Sequence, residues 1–209
     1  MKAKDVYRLI KQNEGLRIEF KARISSSQRI AKEMVAFANT KGGYILVGVD
    51  DNGKIIGIDG IERQKGLLIT AAKDYCIPAI YPIVETVNLN GLMVIVVRIE
   101  EGQEKPYRLM AGGRGELVYI RAKDKNLMAS KEVIKVLRDR GYRRSSKVRL
   151  DKNARKLVEY LSTKERITRK GFTKLVNISD RRAGRILVRL VKEGVLKIHT
   201  LEKTNFYTL

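Results

Sequence analysis

The chain has 209 residues, with 44 Lys and Arg against 23 Asp and Glu, a formal net charge of +21 and a pI near 10.2. Its single cysteine, Cys76, and single histidine, His199, exclude intrachain disulfides, Cys/His zinc sites, Cys-His dyads and Ser-His-Asp triads, so any metal must sit on oxygen ligands. No apolar run approaches bilayer length and the start Met1-Lys2-Ala3-Lys4-Asp5 is too polar for a secretory signal, which predicts a soluble, cytoplasmic protein with no membrane partner. A thermophile-like composition can raise surface charge without function, but it predicts mixed signs, whereas one sign dominates here. The excess of positive charge is the footprint of a polyanion binder, nucleic acid first.

Leu16, Ile18, Phe20 and Ala22 alternate with Arg17, Glu19 and Lys21, which predicts a half-buried strand with the charged residues outward. Ser27 is placed to cap a helix carrying Ile30, Met34, Phe37 and Ala38 on one stripe, stopped by Gly42-Gly43. A strand over 44–50, a hairpin turn at Asn52-Gly53 and a return strand over 54–58 come next. Ile61, Leu68, Ile69, Ala72 and Cys76 predict a helix closed by Pro78, with Cys76 as a buried helix residue. Asn90-Gly91 marks a hairpin between 79–88 and 92–99, and Gly112 to Gly115 marks another between Tyr107 and Arg121. Ser130 is placed to cap a helix over 132–140. Helices mixed with hairpins predict an α/β (α+β) fold with a mixed sheet and packed helices, plus a small C-terminal domain.

The expected division is a first domain over 1–141, a basic linker over 142–150 and a second domain over 151–209. From Tyr142 onward there are 19 basic and 6 acidic side chains, against 25 and 17 in the longer part before it, so the surplus is concentrated at the C-terminus. There, Asp151 caps a helix with Ala154, Leu157, Val158 and Leu161 inward, a short helix covers 169–175, and Asn177 to Ser179 turn into a third helix. That helix sets Ala183, Ile186, Leu187, Leu190 and Val191 toward a core and lines Arg181, Arg185, Arg189 and Lys192 on another face. Two strands over 195–200 and 205–209 flank a tip at Glu202-Lys203-Thr204, and His199 reads as part of this wing with no catalytic role.

This segment resembles the winged helix-turn-helix superfamily, which implies a third helix in the major groove. Arg181, Arg182 and Arg185 are the base-edge candidates, since a guanidinium bonds guanine or phosphate bidentately, and Arg189, Lys192 and Lys203 are the phosphate contacts. The alternatives for this face are a solvated basic surface or a protein contact.

Glu14-x4-Glu19-Phe20-Lys21, Ala36-Phe37-Ala38-Asn39-Thr40-Lys41-Gly42-Gly43, Val47-Gly48-Val49-Asp50-Asp51-Asn52-Gly53, Lys105-Pro106-Tyr107, Tyr119-Ile120-Arg121 and Ser130-x-Glu132 together resemble the Schlafen AlbA-like domain. The resemblance implies a metal-dependent ribonuclease on structured RNA such as transfer RNA, with Glu14, Glu19 and Asp51 as acids holding Mg²⁺ or Mn²⁺ and Lys21 at the scissile phosphate or steadying the carboxylate. Animal Schlafen proteins carry two copies of the domain and a zinc site. Here there is one copy and no zinc ligand set, so a homodimer is expected to supply the second lobe. No Gly-x4-Gly-Lys-Ser/Thr occurs, so no ATP site is expected.

Two readings follow. One is an endoribonuclease; the other is a non-catalytic DNA-binding regulator of transcription whose AlbA-like domain dimerises. On the residues alone, Glu14 also fits a capping carboxylate, Glu19 an exposed strand residue paired with Lys21, and Asp50-Asp51 simple turn chemistry.

Overall fold

The computed structural model describes residues 1–112, 115–138, 150–201 and 204–209, and the chain divides into two units, Met1–Met128 and Ala129–Leu209. In the first unit, α1 (Ala3–Lys11) precedes a strand-helix-strand of β1 (Ile18–Lys21), α2 (Ser27–Asn39) and β2 (Gly43–Val47). Then come α3 (Ile61–Asp74), β3 (Cys76–Ile77), the hairpin of β4 (Ile83–Leu89) and β5 (Leu92–Ile99), and the short strands β6 (Arg108–Met110), β7 (Glu116–Leu117), β8 (Tyr119–Ala122) and β9 (Lys125–Met128). The main sheet has the order β1-β2-β5-β4; β1 and β2 run parallel, as the crossover through α2 requires, and the other neighbours are antiparallel. The expected mixed sheet with hairpins and packed helices is the observed class.

Side-chain alternation divides the sheet's residues between two cores. Ile18, Phe20, Leu46, Val94 and Val96 meet Val6 of α1 on one side, and Ile45, Val47, Ile95, Val97 and Ile99 pack with Met34 and Phe37 of α2 and Leu68 of α3 on the other. Because β1 pairs Glu19 with Ile45 and Lys21 with Val47, both charged residues lie on the α2 side. Glu19 is therefore not the exposed residue that alternation alone predicts: it is 7% exposed, since both faces of β1 are covered.

Several local expectations change. The N-cap of α2 is Ser26 rather than Ser27, and its side chain makes no capping bond. Asn52-Gly53 turns as expected, but the return strand over 54–58 reduces to one bridge between Val49 and Ile55, because Asp50 draws the chain into a side-chain turn by accepting from the backbone N–H of Asn52 (3.0 Å) and Lys54 (2.9 Å). Cys76 is buried beyond the end of α3, in β3. The Asn90-Gly91 hairpin is present, with both residues at positive φ as a type I′ turn demands. The α1 helix and the β8-β9 hairpin had no counterpart in the sequence reading.

Buried Asn39 joins the end of α2 to later strands. Its Nδ2 donates to the carbonyls of Tyr107 (2.8 Å) and Tyr119 (2.9 Å), and its Oδ1 accepts from the N–H of Tyr107 (2.7 Å). Next to it, Thr40 Oγ1 accepts from the N–H of Arg121 (2.9 Å). Gly43 is the residue that lets β2 start so close to α2: a Cβ there would lie 2.5 Å from the Arg17 carbonyl oxygen and 2.6 Å from the Phe37 ring.

The second unit contains α4 (Lys131–Leu137), α5 (Lys152–Thr163), β10 (Ile167–Thr168), α6 (Arg169–Val176), α7 (Asp180–Lys192), β11 (Lys197–Leu201) and β12 (Thr204–Thr208). Its sheet has the order β10-β12-β11, all antiparallel. Ala154, Leu157, Phe172, Ala183, Leu187, Leu190 and Tyr207 form its core. The division after Met128 comes earlier than the boundary expected at residue 141, because α4 belongs with these helices: Glu132 pairs with Arg169, and the Ser130 hydroxyl accepts from Asn205 Nδ2 at 2.7 Å. Of the expected linker at 142–150, all but Leu150 lies outside the described residues, as does the end of the helix expected over 132–140.

Replacing Asn39 with Ala strands the polar groups of Tyr107 and Tyr119 in a dry setting. Chemical denaturation should show a loss of roughly 3 kcal/mol or more; a loss below about 1 kcal/mol would mean water takes the place of the amide.

Candidate nucleic-acid interface and carboxylate centre

The sharp turn from α1 into β1 positions Glu14. Its Oε1 accepts from the N–H of Phe20 at 2.8 Å, so the carboxylate folds back against the strand that carries Glu19. Lys21, two residues on and on the same strand face, pairs with Glu19 Oε1 and donates to the Phe20 carbonyl (2.9 Å). Glu19 Oε2 lies 2.5 Å from Arg121 Nη2, an ion pair out of line for a hydrogen bond.

The Arg121 side chain is 1% exposed and its remaining donors are occupied: Nε by the carbonyl of Gly15 (2.9 Å), Nη2 by that of Ile18 (3.1 Å), and Nη1 by Asn126 Oδ1 (3.2 Å) and, at 3.5 Å, Glu33 Oε2. Glu33 also accepts from Asn126 Nδ2. The guanidinium stands 5.0 Å from the Phe37 ring centre.

Burial pushes the Glu14 carboxyl above its ordinary value, against the Phe20 N–H that lowers it; the negative charges of Glu19 and Asp51 raise it further and Lys21 opposes them. The three acids expected from sequence thus share one electrostatic neighbourhood with Lys21. Glu33, which the sequence reading did not single out, joins them: burial raises its carboxyl too, and the charge of Glu19 adds to that. Its place one helical turn before Phe37 in α2 is the signal that could have raised the question.

Asp51 is exposed in the turn after β2. As the side chains stand, these acids do not form a divalent-cation cage. Both oxygens of Glu19 face cations of the chain itself, and among the described residues no three His, Cys, Asp or Glu side chains are grouped to hold a metal.

In the second unit, Ser179 caps α7 by accepting from the N–H of Arg182 (3.3 Å). Arg181, Arg182 and Arg185 are exposed along its first turns, with no acidic partner among the described residues. Further along, Arg189 differs from the sequence expectation of a freely offered phosphate contact: its Nη2 lies 3.0 Å from Asp151, the cap of α5, and ties two helices together. Lys192 is half-buried and has an interaction of its own. Lys203 lies outside the described residues. His199 stacks on Phe206 across β11 and β12 at 4.7 Å and shares a hydrogen bond with Thr208. No described helix is long and apolar enough to cross a membrane.

A family model described as Schlafen, AlbA_2 matches residues 14–130, more than half of the chain. No curated protein matches. Among solved structures, the N-terminal domain of a Nitrosomonas europaea protein related to the ATP-dependent DNA helicase RecG is 26% identical, over 58% of this chain and 89% of that one, with a TM-score of 0.47. A Corynebacterium diphtheriae protein is 19% identical over 63% of this chain, with a TM-score of 0.45, and the match spans 30% of that protein's chain.

A carboxyl raised on folding contributes stability that is full below its ordinary value, 4.5 for Glu14, and is lost as pH rises through the folded value. Glu14→Gln keeps the acceptor for Phe20 and removes the charge. Its melting temperature should exceed that of the wild type at pH 7 and converge on it below pH 4.5; a lower melting temperature at pH 7 would show that the charge is needed.

Proposed function

The chain belongs to the Schlafen AlbA_2 family, and we propose that it is a nucleic-acid-binding protein whose second unit is a winged helix-turn-helix docking α7 into the major groove of a duplex. The observation that carries this reading is the exposed trio Arg181, Arg182 and Arg185, without an acidic partner among the described residues, on a helix whose opposite face, Ala183, Leu187 and Leu190, is committed to the core. A guanidinium row with no internal acid is free to take phosphate oxygens or guanine edges. The element order α5-β10-α6-α7-β11-β12, with β10 paired to β12, supports the same assignment. Arg189, held by Asp151, then steadies the reading helix against α5, and Lys203, outside the described residues, is kept as a candidate phosphate contact.

A second reading is favoured by one specific observation: Glu14, Glu19 and Asp51, with Lys21, share a common field. Under that reading the first unit cleaves structured RNA, Lys21 meets the phosphate, and Glu14, whose carboxyl burial raises above its ordinary value, is one of the acids in the same field. A Mg²⁺ or Mn²⁺ ion on these acids would have to displace Lys21 or Arg121 from Glu19.

Anisotropy of a labelled duplex should give a salt-sensitive affinity. In the triple variant Arg181→Ser/Arg182→Ser/Arg185→Ser, affinity should fall at least about tenfold and the log-log salt slope should shrink by roughly 2 to 3. Binding equal to wild type would refute the docking face. Incubating labelled transfer RNA with Mn²⁺ tests the second reading: cleavage by the wild type that Glu19→Gln abolishes would make the protein a nuclease.

A further inference from the structure

Between the end of β1 and the start of α2 lies an open cavity of about 360 Å³, at the lower end of the roughly 300–1,000 Å³ typical of small-ligand sites. Lys21, Arg23, Arg29 and Lys32 bring four positive charges to its wall, with Ser25, Ser26 and one acid, Glu33. That acid does not neutralise the wall, because Arg121 and Asn126 already hold its carboxylate. Lys21 is paired with Glu19, and Lys32 Nζ stands 5.1 Å from the Tyr119 ring centre. Arg23 and Arg29 are exposed and have no ion pair among the described residues.

The cavity is thus rich in donors and poor in acceptors. Ser26, the N-cap of α2, makes no side-chain cap bond, so the first-turn N–H groups of the helix lack the acceptor that such a serine ordinarily supplies. Two exposed guanidinium groups lining one cavity with the hydroxyls of Ser25 and Ser26 suit a tetrahedral, multiply charged oxyanion, and they do so better than a planar carboxylate, which offers fewer oxygens.

We propose that this cavity is a phosphate-binding subsite, with Arg23 and Arg29 as its principal ligands. The phosphate comes from a nucleic-acid strand or from a free nucleotide or inorganic phosphate. For the strand, the proposal rests on the nucleic-acid reading above. Lys21 is common to the cavity and the carboxylate centre, so a strand anchored here runs past Glu19. The site sits in the first unit.

The test uses the full chain. A short fluorescent single-stranded RNA is titrated against wild type and Arg23→Ser/Arg29→Ser, and melting temperatures are taken with and without inorganic phosphate. Both arginines are exposed, so the unliganded melting temperature of the variant should equal that of wild type. If the phosphate belongs to a strand, the variant binds RNA about tenfold more weakly and its salt slope is smaller by roughly 1.4, the contribution of two phosphates on a single strand.

Arg23→Lys/Arg29→Lys should restore the slope while recovering only part of the affinity. If RNA binding is unchanged but inorganic phosphate raises the melting temperature of wild type and not of the serine variant, the phosphate is free. That outcome supports the subsite even if the wild type binds no RNA, in which case only the nucleic-acid reading fails. Equal RNA binding together with equal phosphate response in wild type and variant overturns the subsite.

Discussion

A guanidinium shut away from water is the constraint on which the first unit depends. Arginine stays charged in a protein, so burying Arg121 requires an acceptor for each donor and a counter-charge. The chain meets that demand from distant segments: the carbonyls of Gly15 and Ile18, the amide of Asn126, and the carboxylates of Glu19 and Glu33. One side chain thereby fixes the turn before β1, β1 itself, α2 and the β8-β9 hairpin in mutual register. Asn39 and Thr40 reinforce the same joint from the end of α2, through Tyr107, Tyr119 and the N–H of Arg121.

That joint also determines the chemistry nearby. Glu19 is flanked by Arg121 on one oxygen and Lys21 on the other, so the centre as it stands is charge-compensated, and its acids are held by the protein's own cations. Glu14 and Glu33 both feel Glu19: each carboxyl is raised first by burial and then by that negative charge. Beyond Lys21 the balance reverses, because Arg23 and Arg29 have no acidic partner among the described residues. A compensated acid centre and an uncompensated pair of arginines thus lie within one short length of chain, which the net charge of the whole molecule does not reveal.

Much of this architecture was legible in the sequence wherever the determinants are local. The Asn90-Gly91 turn dictates its own hairpin, Gly42-Gly43 stops α2, and the apolar spacing of α7 places Arg181, Arg182 and Arg185 outside a core. The failures have nonlocal causes. Alternation put Glu19 in solvent because a strand pattern cannot report what covers its second face; here α2 and a hairpin about a hundred residues later do so. Glu33 carries no local signal of its role, which comes from Arg121 far along the chain. The tie from Arg189 to Asp151, a residue 38 positions earlier, is likewise invisible to the spacing of α7 alone. Cys76 reads as the next turn of α3, although the helix ends before it. Helix α4 reads as the close of the first domain, but its acid Glu132 finds Arg169 in the second.

Arg121 and Glu19 act as one unit that holds the carboxylate centre. A double-mutant cycle on Arg121→Leu and Glu19→Leu, measured by chemical denaturation, tests it most directly. Arg121→Leu alone should cost about 3–5 kcal/mol, because buried carboxylates are left without their cation. The double variant should then be more stable than the sum of the single losses allows, by a coupling of roughly 1–3 kcal/mol. Single losses that add to within about 0.5 kcal/mol would contradict the account and make Arg121 a packing residue like any other.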